Sequence, residues 1–321
     1  MKKLLTKIAI AVAGFTGVSF AQQDPQFTQW MYNRLIYNPG YAGTSGAICG
    51  VAQFRQQWVN FDGAPQTIAL AGDMRLNALP LGVGLNIMTD KIGNISTFFG
   101  RVAGSYNITN LGGGTLGLGL DLGVIQKSYT GNWITPEPLL IDNKIPGSTM
   151  SYTNPDFGKA TFDLGVGVFY QIPGKFYAGI SSTHLPAQNL ESSGLSFQLK
   201  RHVYFMTGYS QEITPWLTIT PNVMYRTDFA ASNADLNLTL LWLSKVWVGA
   251  TYRLQDAPAL LIGYQDKAMQ GNVLSYKIGY SYDFPRKGLV GYTSGSHEII
   301  LGVCYTPKIK KIMTNQSDRF L

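Results

Sequence analysis

Charge is scarce in this sequence. Of 321 residues only 13% are charged, about half the roughly 25% of an ordinary soluble domain. Two cysteines, Cys49 and Cys304, are too few for a disulfide framework or a structural zinc site. The three histidines, His184, His202 and His297, show no metal-ligand spacing, so the sequence gives no reason to expect a metal or cofactor. The formal charge of +7 is not gathered into a Lys/Arg cluster with interleaved aromatics, which removes the usual argument for nucleic acid. No apolar run beyond the N-terminus reaches the length of a spanning helix. Gly112-Gly113-Gly114 reads as a turn and not a phosphate cradle, because no helix follows it. Disorder is excluded by the opposite features, 45% hydrophobic and 12% aromatic residues.

What is present begins with an export signal. Lys2, Lys3 and Lys7 precede an apolar stretch from Ile8 to Val18, and Ser19 and Ala21 are the small residues before a cut at Gln22. Residues 1–21 are therefore read as a signal peptide. Their three lysines leave with it, taking the net charge from +7 to +4.

From about residue 46 the chain alternates with a period of two. Leu116, Leu118, Leu120, Leu122 and Val124 share one face, and Gly117, Gly119, Asp121 and Gly123 the other. Tyr276, Ile278, Tyr280 and Tyr282 alternate in the same way with Lys277, Gly279, Ser281 and Asp283. A soluble sandwich also alternates, but here the polar faces carry charges and many of the 36 glycines, and the runs are about 10 residues long, the length of a tilted membrane-spanning strand. Backbone groups in lipid must all be paired, so such strands close on themselves. The expectation is an all-β, antiparallel outer-membrane β-barrel of about 14 strands over residues 46–306. An even count with short turns on one side and long loops on the other puts both termini in the periplasm. Trp216 and Trp242, beside short turns, suit an interfacial girdle.

Several stretches carry a family likeness. Gln23-Asp24-Pro25-Gln26-Phe27-Thr28-Gln29-Trp30-Met31-Tyr32-Asn33 is followed by Asn38-Pro39-Gly40-Tyr41-Ala42-Gly43, by Arg55-Gln56-Gln57-Trp58 and by Gly63-Ala64-Pro65-Gln66-Thr67. Near the end stand Ile278-Gly279-Tyr280-Ser281-Tyr282-Asp283 and Gly295-Ser296-His297-Glu298-Ile299. In this order, over residues 22–306, they resemble the PorP/SprF family of outer-membrane proteins in the type IX secretion system. Gly40 departs from that pattern, where the family more often has alanine. The resemblance implies a role in secretion and surface display in gliding or related bacteria of the Bacteroidetes type. The implied partners are a secreted adhesin held through its C-terminal domain, or the periplasmic secretion machinery, in either case without enzymatic activity or cofactor.

Other residues are candidates in their own right. Residues 22–45 are polar and aromatic and do not alternate. Their Phe27, Trp30, Tyr32, Tyr37 and Tyr41 suit partner anchors in the periplasm, but the segment equally suits a lumenal plug or a lead-in under the barrel mouth. Trp133, in the long loop 128–159, is a further candidate partner contact. Lumen-facing charges by alternation include Arg55, Asp73, Arg75, Arg101, Asp121, Asp163, Arg226, Arg253, Lys277 and Asp283. Their mixed signs favour an internal ion-pair network over an ion-selective pore. The glycine-rich inner faces of 114–127 and 160–171 leave room for something to lie against the wall: a loop, the N-terminal segment or a cargo segment. Cys49 and Cys304 lie in the first and last strands, neighbours in a closed barrel, and form a candidate disulfide. Ser294 and Ser296 beside His297 are the one faint arrangement for nucleophilic catalysis. Residues 307–321 form a basic tail, periplasmic on this topology. The rival reading is a passive channel for small or hydrophobic solutes.

Overall fold

Strands with one apolar and one polar face have two solvents to satisfy. A computed structural model describes residues 24–76, 79–129, 157–192, 195–254, 256–266, 274–286 and 288–306. Residues 1–21, read from the sequence as a signal peptide, Trp133 and residues 307–321 lie outside them. Consecutive antiparallel neighbours are β1 (Ile48–Gln56), β2 (Gln66–Leu76), β3 (Leu81–Ile92), β4 (Ile95–Leu111), β5 (Gly114–Tyr129), β6 (Phe157–Ile172) and β7 (Phe176–Thr183). A separate hairpin, β8 (Asn189–Ser192) with β9 (Leu195–Gln198), follows. The wall resumes with β10 (His202–Tyr209) and β11 (Gln211–Thr214), then β12 (Leu217–Thr227), β13 (Ser232–Trp242), β14 (Val246–Arg253), β15 (Pro258–Asp266), β16 (Leu274–Asp283) and β17 (Ser296–Tyr305).

The sheet is closed. β1 pairs with β2 on one side and β17 on the other, and β10 pairs with both β7 and β12. The sheet holds 15 strand segments, and β10 and β11 continue one another along β12, so the wall has fourteen strands. That is the count the alternation predicts. Closure removes every edge, which hydrocarbon demands.

The alternation sorts side chains as expected. On β5, Leu118, Leu120, Leu122 and Val124 are exposed on the outer face, while Gly117, Gly119 and Asp121 are buried. Trp216 and Trp242 are exposed side by side, with ring centroids 4.9 Å apart. Such an outer face is stable only against lipid. Leu120→Arg, near the middle of β5, should destabilise the membrane-inserted barrel by about 2–4 kcal/mol. Reversible unfolding in detergent or lipid would read this, and an unchanged midpoint would mean that the face does not meet hydrocarbon.

One end of the barrel carries mostly short turns, at 77–80, 112–113, 173–175, 215–216 and 243–245; the other carries the long connections 57–65, 130–156, 184–201 and 284–295. β8–β9 belongs to the long-loop end, where Leu190 is buried against Ile95, Tyr129 and Leu199. The sequence reading treats 184–199 as a plain loop and misses this hairpin, whose strands are only 4 residues each. The main apolar core lies inside the barrel. It joins Phe27, Trp30, Met31 and Tyr37 from before β1 to wall residues such as Met88, Phe169, Tyr177, Met206 and Trp247.

Candidate functional site

Those core residues place the N-terminal segment. Residues 24–45 lie in the lumen as three single-turn 3₁₀ helices, Trp30–Tyr32, Arg34–Ile36 and Pro39–Tyr41, joined by short links. Phe27 and Trp30 are 0% exposed and Tyr37 is nearly so. Tyr32 packs on Trp247 and Tyr41 on Phe169. Phe27, Trp30 and Tyr37 are buried in the body of a plug, whereas Tyr32 and Tyr41 are half-buried and line a hollow between plug and wall.

The wall makes room for it with glycine. Gly40 sits so close to β5 and β6 that a Cβ there would come within 2.8 Å of the Gly117 carbonyl and 2.9 Å of the Gly167 carbonyl and the Phe169 amide. From the other side, a Cβ on Gly119 would run into the backbone of Pro39 and Gly40, and one on Gly117 into the Gly40 carbonyl. Of the three occupants that the glycine-rich faces allow, it is the N-terminal segment that lies there. The departure at position 40 thus falls at a point of backbone-to-backbone contact.

Polar bonds fix the segment along its length. Two amide donors of an irregular chain need acceptors, and one carboxylate supplies both. Glu298, on β17 and 0% exposed, accepts from the Thr28 and Gln29 N–H groups, each at 2.8 Å. It also takes Gln53 Nε2 at 2.8 Å and Arg55 Nη1 at 3.1 Å. Arg55 Nη2 reaches Asp283 at 2.6 Å, and the Thr28 hydroxyl donates to the same carboxylate at 2.8 Å. Further along, Asn38 Nδ2 donates to the carbonyls of Val168 and Ile180, Ser181 donates to the Tyr37 carbonyl, and Asn86 to that of Leu35. Gly43 N–H donates to Asp73 at 2.9 Å. Four stretches that carry the family likeness, those with Thr28, with Arg55, with Asp283 and with Glu298, are therefore one cluster in space.

The charges predicted to face inward form local networks of mixed sign. Besides Arg55 with Asp283 and Glu298, Asp235 holds both Arg226 and Arg253, at 2.9 and 3.2 Å. Arg101 Nε lies 2.8 Å from Asp163. Asp235 is a member the sequence reading passed over, although it alternates in step with Arg226.

At the long-loop end the plug starts beside two histidines. Asp24 lies 2.9 Å from His184 Nε2, and Tyr204 donates its hydroxyl to Asp24 at 2.8 Å. His202 is 5% exposed and lies ring-edge to His184. Nothing in the sequence spacing announces this group. β7–β10 pairing sets His202 opposite Thr183, the residue before His184, and the plug brings Asp24 from 160 residues away.

At the short-turn end a hollow of about 300 Å³ opens between the plug and the wall. Tyr32, Arg34, Asp73 and Lys277 line it, with Cys49 and Cys304 at its rim. Arg34 lies 3.7 Å from the centre of the Tyr177 ring, and Lys277 3.6 Å from that of Tyr32. Cys49 and Cys304 face each other across β1 and β17, Cα atoms 4.1 Å apart, joined by a disulfide. A bridge closing a loop of 255 residues removes about 5 kcal/mol of unfolded-chain entropy in the simple model. The unreduced chain should therefore weigh two hydrogens less than the reduced one in intact-mass measurement and lose stability on reduction. Equal masses would refute the bridge.

The serine and histidine considered for catalysis are not paired. His297 Nδ1 meets the Tyr280 hydroxyl at 2.6 Å, Ser294 Oγ accepts from Asn60, and Ser296 Oγ accepts the Trp58 N–H.

Comparison with known proteins gives three results. The family model described as "Type IX secretion system membrane protein PorP/SprF" matches residues 19–303. No curated protein matches the chain. Among solved structures, the CymD monoaromatic hydrocarbon channel is similar at 12% identity and TM-score 0.48, covering 84% of this chain and 91% of its own. The toluene transporter TodX of P. putida is similar at 8% and 0.45, covering 85% and 93%. The KdgM porin is similar at 8% and 0.36, covering 81% and 99%.

Proposed function

Because the chain belongs to the PorP/SprF family of type IX secretion system membrane proteins, we propose that this outer-membrane barrel is a non-enzymatic scaffold, binding a secreted adhesin-type surface protein through that protein's C-terminal domain, the periplasmic secretion machinery, or both. The observation that carries this reading is the lumen: residues 24–45 fill it and are bonded to the wall from Asp24 to Gly43. A core there takes the space that a solute path would need. The short-turn end faces the periplasm in this reading. β1 starts and β17 ends on that side, and the hollow beside Arg34 and Lys277 is where a partner segment meets the plug.

The rival, a passive channel for small or hydrophobic solutes, needs a continuous path that the packed plug opposes. The test is purification from the native outer membrane in mild detergent, with identification of co-purifying chains by mass spectrometry. A stoichiometric surface protein or machinery component is expected. Recovery of the barrel alone, with crosslinking and across extraction conditions, would refute the scaffold reading and favour the channel.

A further inference from the structure

The histidine group at the long-loop end carries more than the plug requires. His184 Nδ1 lies 3.1 Å from Asp163 Oδ1, so that nitrogen is the donor and carries the proton. Its Nε2 then presents a lone pair, yet faces both Asp24 oxygens, at 2.9 and 3.1 Å. Lone pairs meeting at that distance need something positive between them. A proton on His184 would satisfy this pair but not the third member. His202 Nδ1 lies 3.0 Å from the Lys200 carbonyl, which fixes its proton there. Its Nε2 is thus an acceptor, buried and without a hydrogen-bond partner. Among the described residues no group donates to it. A cation satisfies all three atoms together.

We propose that Asp24, His184 and His202 bind a divalent transition-metal ion of the zinc class. Their ligand atoms lie within 4.8 Å of one another. Tetrahedral zinc with bonds of about 2.0–2.1 Å sets its ligands roughly 3.3 Å apart, so the His202 ring closes in by a side-chain rotation. The surroundings are those of a supported site: Asp163 orients His184, the Lys200 carbonyl orients His202, and Tyr204 donates to Asp24. Arg101 is the opposing charge, 3.5 Å from His184 Nε2, and is balanced by Asp163 at 2.8 Å. A cavity of about 270 Å³ adjoins all three ligands, with Asp90, Lys127 and Lys200 on its wall, and gives access to a fourth coordination position. Asp24 belongs to the plug, His184 to the connection after β7 and His202 to β10. The ion therefore locks the start of the plug to the barrel at the long-loop mouth. This inference stands apart from the scaffold reading, since it concerns one end of the plug and not what the barrel holds.

The test uses the full untagged protein in detergent, stripped with a chelator and titrated with Zn²⁺ alone against a chromophoric competitor. One zinc per chain is expected to survive desalting. His202→Ala should weaken binding by about 10–100-fold or more, and Asp163→Asn, which orients a ligand without touching the ion, by about 10-fold or more. His297→Ala, half-buried on β17 and bonded to Tyr280, should leave it unchanged. Heat-modified gel mobility shows whether each variant keeps the folded barrel, and Asp24→Asn serves if His202→Ala does not. Zinc uptake by wild type no greater than by His202→Ala, or an equal loss with His297→Ala, would overturn the proposal. The first would leave a proton alone bridging Asp24 and His184.

Discussion

Glu298→Ala should turn a closed barrel into a conducting one. The carboxylate is the shared acceptor for the Thr28 and Gln29 amides and for Gln53, and it neutralises part of the Arg55 charge. Arg55 is 3% exposed. Removing the Glu298 carboxylate leaves the Thr28 and Gln29 amides without an acceptor, at about 1–3 kcal/mol for each buried donor, and takes one of two counter-charges from Arg55, which keeps Asp283 at 2.6 Å. The wall need not bear that cost, because its strands are held by their own backbone ladder around a closed circle. The plug bears it. Once Thr28 and Gln29 leave, water reaches their amides and Arg55, and the penalty disappears. Two such donors move the ratio of seated to unseated plug by roughly one to four powers of ten. Single-channel recording in planar bilayers should show a quiet wild type and frequent openings in Glu298→Ala. Glu298→Gln keeps an acceptor but no charge and should fall between. A variant as quiet as wild type, with the barrel folded, would mean that the cluster does not hold the plug.

Gly119→Ala should unseat the same segment by a purely steric route. Its Cβ would meet the Pro39 carbonyl group and the Gly40 nitrogen, backbone atoms that no rotamer change can move aside. Overpacking of even one methyl in a filled interior costs about 1–3 kcal/mol, and here the only compliant partner is the plug itself. Limited proteolysis of the folded variant should cut within residues 24–45, which wild type protects. Gly104→Ala on β4 is the control, because nothing lies within 4 Å of a Cβ there. Equal protection in Gly119→Ala and Gly104→Ala would show that the plug does not touch the wall at Pro39 and Gly40.

Much of this fold is legible in the sequence, and the reason is physical. A lipid-facing strand must alternate, and Leu118, Leu120 and Leu122 against Gly119, Asp121 and Gly123 leave one choice of faces. The number of wall strands followed from that pattern. The position of residues 24–45 was not legible, because a segment that packs inside a barrel has no period: its neighbours come from all round the wall at once, among them Arg55 on β1, Tyr204 on β10 and Trp247 on β14. Glycines on the inner faces signalled an occupant without naming it. Asp24, His184 and His202 were invisible as a group, since closure between β7 and β10 and the path of the plug, not chain spacing, bring them together. Glu298 stood in a motif of the resemblance, but its role as acceptor for Thr28 and Gln29 needed the third dimension.

The central claim is that the chain's own N-terminal segment closes the barrel. Hydrogen–deuterium exchange of the protein in lipid nanodiscs tests it at the atoms concerned. The Thr28 and Gln29 amides, bonded to Glu298, should exchange as slowly as those of β1 and β17. Exchange across residues 24–45 at the rate of a free chain, with the strands still protected, would contradict it.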